Sequence, residues 1–149
     1  MLGRTHIAIA LFIFLLVLNI FSFENYLLFL LLLIIGSLLP DIDRSSSYLG
    51  RFAGTLPLVF SHRGFFHSAY AMILFSAVVY FIGGFLLAIA FSIGYFSHLV
   101  FDSFTKKGVA FFLIDRKIKG PFVSGGLFDK FVFSFILLLN IYLAIIMFL

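Results

Sequence analysis

Apolar residues divide the chain into four blocks, at about residues 5–22, 25–39, 69–101 and 131–149. A helix that crosses a bilayer needs roughly 20 apolar residues, because each residue advances it by about 1.5 Å. The first and last blocks each fit one crossing. The second block is shorter and precedes Pro40, which is expected to end the helix, so this crossing needs snorkelling ends or a locally thinner bilayer.

The third block is too long for one crossing. A helix over 69–101 would measure roughly 50 Å, whereas the hydrocarbon core is about 30 Å thick. Gly83 and Gly84 lie inside this block, and paired glycines favour a turn. The sequence therefore predicts helices at about 69–82 and 85–101. In total it predicts a single all-α integral membrane domain, residues 1–149, with about five transmembrane helices and loops at 40–68 and 102–130.

Composition supports a membrane location. Only 11% of the residues are charged, whereas a soluble domain has about 25%, and the mean hydropathy is +1.26. The first block follows Arg4 as a secretory signal would, but no small-residue cleavage site follows it, so we expect an uncleaved membrane helix. The sequence contains no cysteine, which excludes disulfides and thiolate metal ligands.

The distribution of basic residues predicts the orientation. With five crossings, the N-terminus and both long loops lie on one side of the membrane, and that side holds all ten Lys and Arg residues. By the positive-inside rule, this side is the cytoplasm and the C-terminus lies outside, in the cell (inner or plasma) membrane. We expect the basic residues of 106–119 to contact anionic lipids. A net charge of +4 would suggest nucleic acid in a soluble protein, but here the distribution of charge matters more than its sum. We therefore predict membrane lipids as partners and no nucleic acid, and the sequence indicates no oligomeric state.

All histidines and aspartates fall on the predicted cytoplasmic side, in four short motifs and the second long loop. The motifs are Thr5-His6, Leu39-Pro-Asp-Ile-Asp-Arg44, His62-Arg-Gly-Phe-Phe-His-Ser68, and His98-Leu-Val-Phe-Asp102 with Thr105. His98 and Asp102 are four residues apart, so they share one helix face. Asp41 and Asp43 flank a single residue, so in turn or extended backbone both carboxylates point the same way. Imidazole and carboxylate ligands together suit zinc, manganese or iron.

These motifs predict a divalent metal centre, with zinc favoured over manganese or iron. The candidate ligands suffice for one ion, or for two ions bridged by a carboxylate, and such a centre activates water for the hydrolysis of phosphate esters and amides. Two further residues are candidate catalytic groups: Arg63 to hold an anionic substrate oxygen, and His62 as a proton carrier or supporting group. The candidate ligands are His6, Asp41, Asp43, His67, His98 and Asp102.

Each residue also has a purely structural interpretation. His6 could be an interfacial polar residue, the Asp41/Asp43 pair a helix terminator, and the histidines of the 62–68 motif solvated loop residues. An intrahelical hydrogen bond could explain His98 and Asp102, and Asp129 is expected to be the N-cap of the last helix. Ionisable groups at membrane depth are costly and usually functional, and four motifs converge on one side, so we favour a site.

The motifs, taken in order, resemble the YdjM-like family of membrane-bound proteins described as metal-dependent hydrolases. The similarity rests on Thr-His, Leu-Pro-Asp-Ile-Asp, His-Arg-Gly-x-x-His-Ser, and His-x3-Asp-x2-Thr-x2-Gly ending at Gly108, and it spans residues 5–108. The resemblance implies that the six candidate ligands, with His62 and Arg63, form the metal and catalytic set. It implies a reaction class and no particular substrate.

The leading functional prediction is a membrane-embedded metal-dependent hydrolase that acts on a lipid or lipid-linked phosphoester at the cytoplasmic interface. The alternative is a membrane protein that transports or binds an ion or small solute through the His/Asp cluster, although transporters place ionisable groups nearer the bilayer centre. A metal-free lipid phosphatase is disfavoured, because Val123-Ser-Gly-Gly126 follows His98 and lacks the histidine that such enzymes need. A scaffold protein would give no reason for six candidate ligands to converge.

Overall fold

The computed structural model describes residues 1–53, 64–112 and 117–148. Within these ranges the chain forms five α-helices, which confirms the predicted all-α fold and the predicted number of helices. The last helix begins four residues before the predicted position. The helices are α1 (Gly3–Ile20), α2 (Tyr26–Leu38), α3 (Ala69–Gly83), α4 (Phe85–Ser103) and α5 (Leu127–Phe148).

In the described part of the chain, four segments are long and apolar enough to cross a membrane: α1, α4, α5, and α2 together with the turn that follows it. The remaining helix, α3, is apolar but has only 15 residues, so it reaches about 22 Å. Only 6% of the apolar window of α5 is buried inside the protein, and Leu138 on its surface is 66% exposed. Apolar side chains exposed to this extent are expected where a helix faces lipid.

Helix α2 ends at Leu38, just before Pro40, but the chain remains helical beyond it. The chain continues from α2 into a short 3-10 helix, Leu39–Asp43, with Pro40 near its start. Proline is tolerated there because the amide hydrogens of a first turn have no partner within the helix. Asp41 and Asp43 therefore lie in a regular turn that extends the second membrane segment to Tyr26–Asp43.

The predicted break in the third apolar block is confirmed at Gly84. This residue has φ +81°, a conformation that favours glycine, and its amide donates to the carbonyl of Tyr80. Helices α3 and α4 run antiparallel, and a hydrogen bond of 2.7 Å from Ser92 Oγ to Ser76 Oγ joins them near their middle. The start of α3 consequently lies beside the end of α4.

Helices α2 and α4 cross at two glycines. A Cβ atom at Gly36 would lie 2.2 Å from the carbonyl oxygen of Phe91, and one at Gly94 would lie 2.1 Å from that of Leu33. Small residues allow membrane helices to approach this closely. The crossing brings the last turn of α2 against the last turns of α4.

Helix α1 packs between α2 and α5. Its apolar face joins a core with α2 and α4 that includes Phe14, Phe29 and Leu33, and the Asn140 side-chain amide of α5 donates to the carbonyl of Ala8 at 3.0 Å. Contacts among the helix ends place the starts of α1, α3 and α5 beside the ends of α2 and α4. One end of the bundle therefore collects the polar motifs, as the alternating topology predicts.

Candidate metal centre

The six predicted ligands lie together at this end of the bundle, and all six are buried. They come from four segments: the first turn of α1, the 3-10 helix after α2, the turn before α3 and the last turns of α4. Their convergence follows from the alternating helix directions. Their role as ligands stays a prediction.

His67 is surrounded by three carboxylates. Its Nε2 atom lies 3.6 Å from Asp41 Oδ1 and 3.8 Å from Asp102 Oδ2. Its Nδ1 atom lies 3.7 Å from Asp43 Oδ2, on the other side of the ring. Both aspartates of the 3-10 helix therefore face His67, each toward a different ring nitrogen.

Asp102 lies between the other two histidines. Its Oδ1 atom is 3.5 Å from His6 Nε2 and contacts the amino group of Met1. Its Oδ2 atom is 3.7 Å from His98 Nε2. The His6 ring stacks on the His98 ring with centroids 3.9 Å apart, and His67 meets His98 edge-on at 5.2 Å. Each oxygen of this carboxylate thus faces a different histidine.

Among the residues that the structure describes, two sets of side chains could hold a metal ion. One set is His6, His98 and Asp102, and the other is Asp41, His67 and His98; in each set the donor atoms lie within 4.8 Å of one another. Side chains of this kind are the ligands that zinc, iron and manganese accept in proteins. The residues present therefore fit a divalent metal ion.

The backbone carbonyl of Ser37 orients His98. His98 Nδ1 lies 2.7 Å from this oxygen, and a carbonyl can only accept, so Nδ1 carries the hydrogen. In the neutral imidazole, Nε2 then presents a lone pair toward the Asp102 carboxylate. No donor in residues 1–53, 64–112 or 117–148 satisfies Nε2. Two acceptors facing each other at 3.7 Å are the arrangement that a bound cation would stabilise.

His6 points to the same conclusion. It is fully buried, and among the described residues neither of its ring nitrogens has a hydrogen-bond partner. A buried polar group without a partner costs about 1–3 kcal/mol. A metal ion would satisfy Nε2, which already faces Asp102.

The turn that carries His67 is held by two hydroxyl groups. Ser68 caps α3, since its Oγ accepts from the Ala71 amide at 3.2 Å. The Tyr95 hydroxyl donates to the carbonyl of Phe66. Tyr95 was not predicted to support the site, although it precedes His98 by three residues and therefore shares its helix face.

Asp129 is a second supporting residue that the sequence did not reveal. The prediction that it caps the last helix is wrong, because that helix begins at Leu127 and Asp129 lies inside its first turn. Its Oδ1 accepts from the Thr5 hydroxyl at 2.6 Å, and its Oδ2 accepts from the amides of Leu2 and Gly125. Asp129 thus ties the start of α5 to the residue that precedes His6.

Two further motif residues have structural roles. Thr105 Oγ1 donates to the carbonyl of Asp102 at 2.7 Å at the end of α4. Gly108 then turns the chain with φ +67°, and a Cβ atom there would lie 2.4 Å from the Ile118 carbonyl oxygen. These residues end the helix directly behind Asp102. The predicted catalytic pair, His62 and Arg63, lies outside the described residues.

Comparisons with known proteins place the chain in a family. Neither a curated protein nor a solved structure matches it. The family model described as YdjM inner membrane protein matches residues 1–148, which extends the similarity beyond the motifs at 5–108 to nearly the whole sequence. The family description agrees with the apolar helices and assigns the protein to the inner membrane. The chain belongs to the YdjM inner membrane protein family.

Proposed function

We propose that the protein is a membrane-embedded metal-dependent hydrolase that acts on a lipid or lipid-linked phosphoester at the cytoplasmic membrane interface. The observation that carries the proposal is the orientation of His98. Its Nδ1–H is committed to the Ser37 carbonyl, so its Nε2 lone pair faces a buried carboxylate in a cluster of three histidines and three aspartates.

The types of candidate ligand favour zinc. Three imidazoles with carboxylates and no thiolate resemble catalytic zinc sites more than structural ones. His98 has a single nitrogen available, so it can complete only one of the two candidate sets, whereas Asp102 has an oxygen facing each side. These donors would suffice for one ion or for two. Such an ion, when bound, would activate the water that attacks the phosphoester.

The other residues would orient these donors. Asp43 faces Nδ1 of His67 while Asp41 and Asp102 face Nε2. A carboxylate behind a ligating histidine fixes the tautomer and the ring orientation. Asp43 would therefore position His67 and leave Nε2 for the metal. His62 and Arg63 remain the predicted residues on the substrate side.

The position of the cluster favours a hydrolase over the transporter alternative. The histidines and aspartates lie at the ends of the helices, where lipid head groups lie, whereas a transport pathway would place ionisable groups near the middle of the spans. A site at this depth reaches a phosphate at the membrane surface. This position supports a lipid-linked substrate.

Metal content is the first test. The full-length protein, purified in detergent, is expected to contain one or two metal ions per chain, and His98→Ala and Asp102→Ala are expected to lose them. Glu24→Gln removes an exposed carboxylate elsewhere and should retain the metal. Wild-type protein without stoichiometric metal would refute the proposal.

Turnover is the second test. Metal-loaded protein should hydrolyse at least one member of a panel of phospholipids and soluble phosphate esters, and chelation should abolish that activity. A protein that binds metal, hydrolyses none of the panel and moves metal ions across proteoliposomes would be a transporter instead.

A further inference from the structure

A surface cavity opens beside the candidate metal centre. It has a volume of about 500 Å³ and lies between the start of α1 and the segment at 44–51. Asp41 lines this cavity and also faces His67 at 3.6 Å. A molecule in the cavity would therefore lie next to the metal ligands.

The cavity is strongly basic. Among the described residues, three guanidinium groups line it, those of Arg4, Arg44 and Arg51, and Asp41 is the single carboxylate. Within the described part of the chain, none of the three arginines forms a salt bridge. Three consecutive serines at 45–47 add hydroxyl groups to the wall. The lining thus offers an unbalanced positive charge together with hydrogen-bond donors.

Each arginine is held in place by a contact that leaves its terminal nitrogens available. Arg44 Nε donates to Ser46 Oγ at 2.8 Å, and Arg51 Nε donates to the Tyr48 carbonyl at 3.2 Å. The Arg51 guanidinium also lies 5.5 Å from the Tyr48 ring centroid, and that of Arg4 lies 5.1 Å from the Phe133 ring centroid. Preorganised guanidinium groups of this kind bind phosphate through paired hydrogen bonds.

We propose that this cavity binds the phosphate group of the substrate, and that Arg4, Arg44 and Arg51 hold that group beside Asp41. The inference rests on the proposed hydrolase function and adds a substrate-binding site to it. A lipid head group and a soluble phosphate ester share this chemistry. Tyr48, which lines the cavity, and Phe52, whose ring lies beside the Arg51 guanidinium, are exposed aromatic residues that suit a membrane interface.

Binding of defined phosphate probes tests the proposal on the full chain in detergent. The probes are dihexanoyl phosphatidic acid, glycerol 3-phosphate, which has the same phosphate without acyl chains, and dihexanoyl phosphatidylcholine as a zwitterionic comparison. Titration calorimetry is carried out on metal-loaded and on chelated protein. We expect at least one of the two phosphate monoesters to bind more tightly than the phosphatidylcholine.

Substitutions separate a shaped site from general charge. Arg44→Ala and Arg51→Ala should each weaken binding about ten- to a hundredfold, because each removes charge-assisted hydrogen bonds. Arg44→Lys keeps the positive charge but loses the paired hydrogen-bond donors of the guanidinium group, so it should also weaken binding. Lys107→Ala, a control that removes an exposed charge outside the cavity lining, should stay within about twofold of wild type.

The outcomes distinguish the two proposals. If neither phosphate monoester binds, or if Arg44→Ala and Arg51→Ala bind like wild type, or if Lys107→Ala loses as much affinity, the phosphate cavity is refuted even when metal is present. If the arginine-dependent binding is found but the wild type purifies without stoichiometric metal, the cavity is supported and the hydrolase proposal fails. Equal binding of glycerol 3-phosphate supports the cavity with a soluble ligand, and preferential binding of phosphatidic acid supports it with a lipid.

Discussion

Substituting Gly94 by alanine should weaken metal binding although Gly94 touches none of the proposed ligands directly. The added Cβ atom would lie 2.1 Å from the carbonyl oxygen of Leu33, where ordinary contact begins at 3.4 Å. The Leu33 oxygen belongs to helix backbone and the backbone fixes the position of the Cβ atom, so side-chain rotation cannot relieve the clash. The two helices must separate by roughly 1 Å at this point, because packed interiors do not compress.

That separation acts on the hydrogen bond that orients His98. Ser37 and His98 each lie one helical turn beyond the residues that clash, and their present separation is 2.7 Å. Adding about 1 Å would lengthen the bond beyond the usual limit of about 3.2 Å. Loss of a partner that orients a metal ligand typically lowers metal affinity about 10- to 100-fold. Overpacking should also destabilise the fold by about 1–3 kcal/mol.

Competition with a fluorescent zinc chelator measures the affinity, and circular dichroism monitors the helices. Gly83→Ala is the matched control, since its Cβ would meet Leu87 Cδ1 at 2.8 Å, the far end of a side chain that can rotate. We expect Gly83→Ala to bind zinc like wild type. A folded Gly94→Ala protein with wild-type zinc affinity would refute the link between the helix crossing and the metal centre.

Four further predictions concern stability, metal and topology. Asp129→Asn should lower the free energy of unfolding by about 1–3 kcal/mol, since it places an amide donor among backbone and hydroxyl donors; a melting temperature as high as that of the exposed Glu24→Gln control would contradict this role. Asn140→Leu should lower the free energy of unfolding by less, about 0.6 kcal/mol, as is typical of one hydrogen bond between membrane helices. A larger loss for Asn140→Leu than for Asp129→Asn would contradict this prediction. Chelation should lower the melting temperature of wild type, since a ligand at 100 times its Kd stabilises a protein by about 2.7 kcal/mol. The melting temperature of His98→Ala should not change on chelation, and equal shifts in both proteins would argue against the site. A C-terminal alkaline phosphatase fusion should be active outside the cytoplasm, and an inactive phosphatase with a fluorescent C-terminal green fluorescent protein would overturn the orientation.

The number of helices could be predicted because it depends on the order of residues along the chain. Lengths of apolar runs and the Gly83-Gly84 pair are local signals, and both were sufficient. The helix limits were less accurate, since they depend on contacts made elsewhere. The early start of α5 at Leu127 accompanies the bonds that Asp129 makes to Thr5 and Leu2, which no local pattern indicates.

The helix crossing could not be predicted. In the sequence, an isolated glycine indicates only that the helix is locally less stable, by about 1 kcal/mol. Nothing in the sequence marks Gly36 and Gly94 as partners. The sequence also gives no sign of the acceptor for His98, because it is the backbone carbonyl of Ser37 and every residue has such a carbonyl. Pairings of this kind depend on the three-dimensional approach of two helices.

The candidate ligands could be found because their residue types are rare in an apolar chain and the alternating helices carry them to one end. Their supports use common residue types and distant partners, and these are what hold the cluster together. His6 follows Thr5, which Asp129 holds; the turn of His67 is held by Tyr95; and His98 is held by Ser37.

None of these supports requires a metal ion, so the geometry of the centre is set by the helical bundle. Removing a ligand should then empty the site of metal and leave the five helices folded. Removing a support, as in Asp129→Asn or Gly94→Ala, should lower both metal affinity and stability, because a support connects the site to the packing of the helices. A ligand variant such as His6→Ala that unfolds the bundle would show that the metal organises the fold instead.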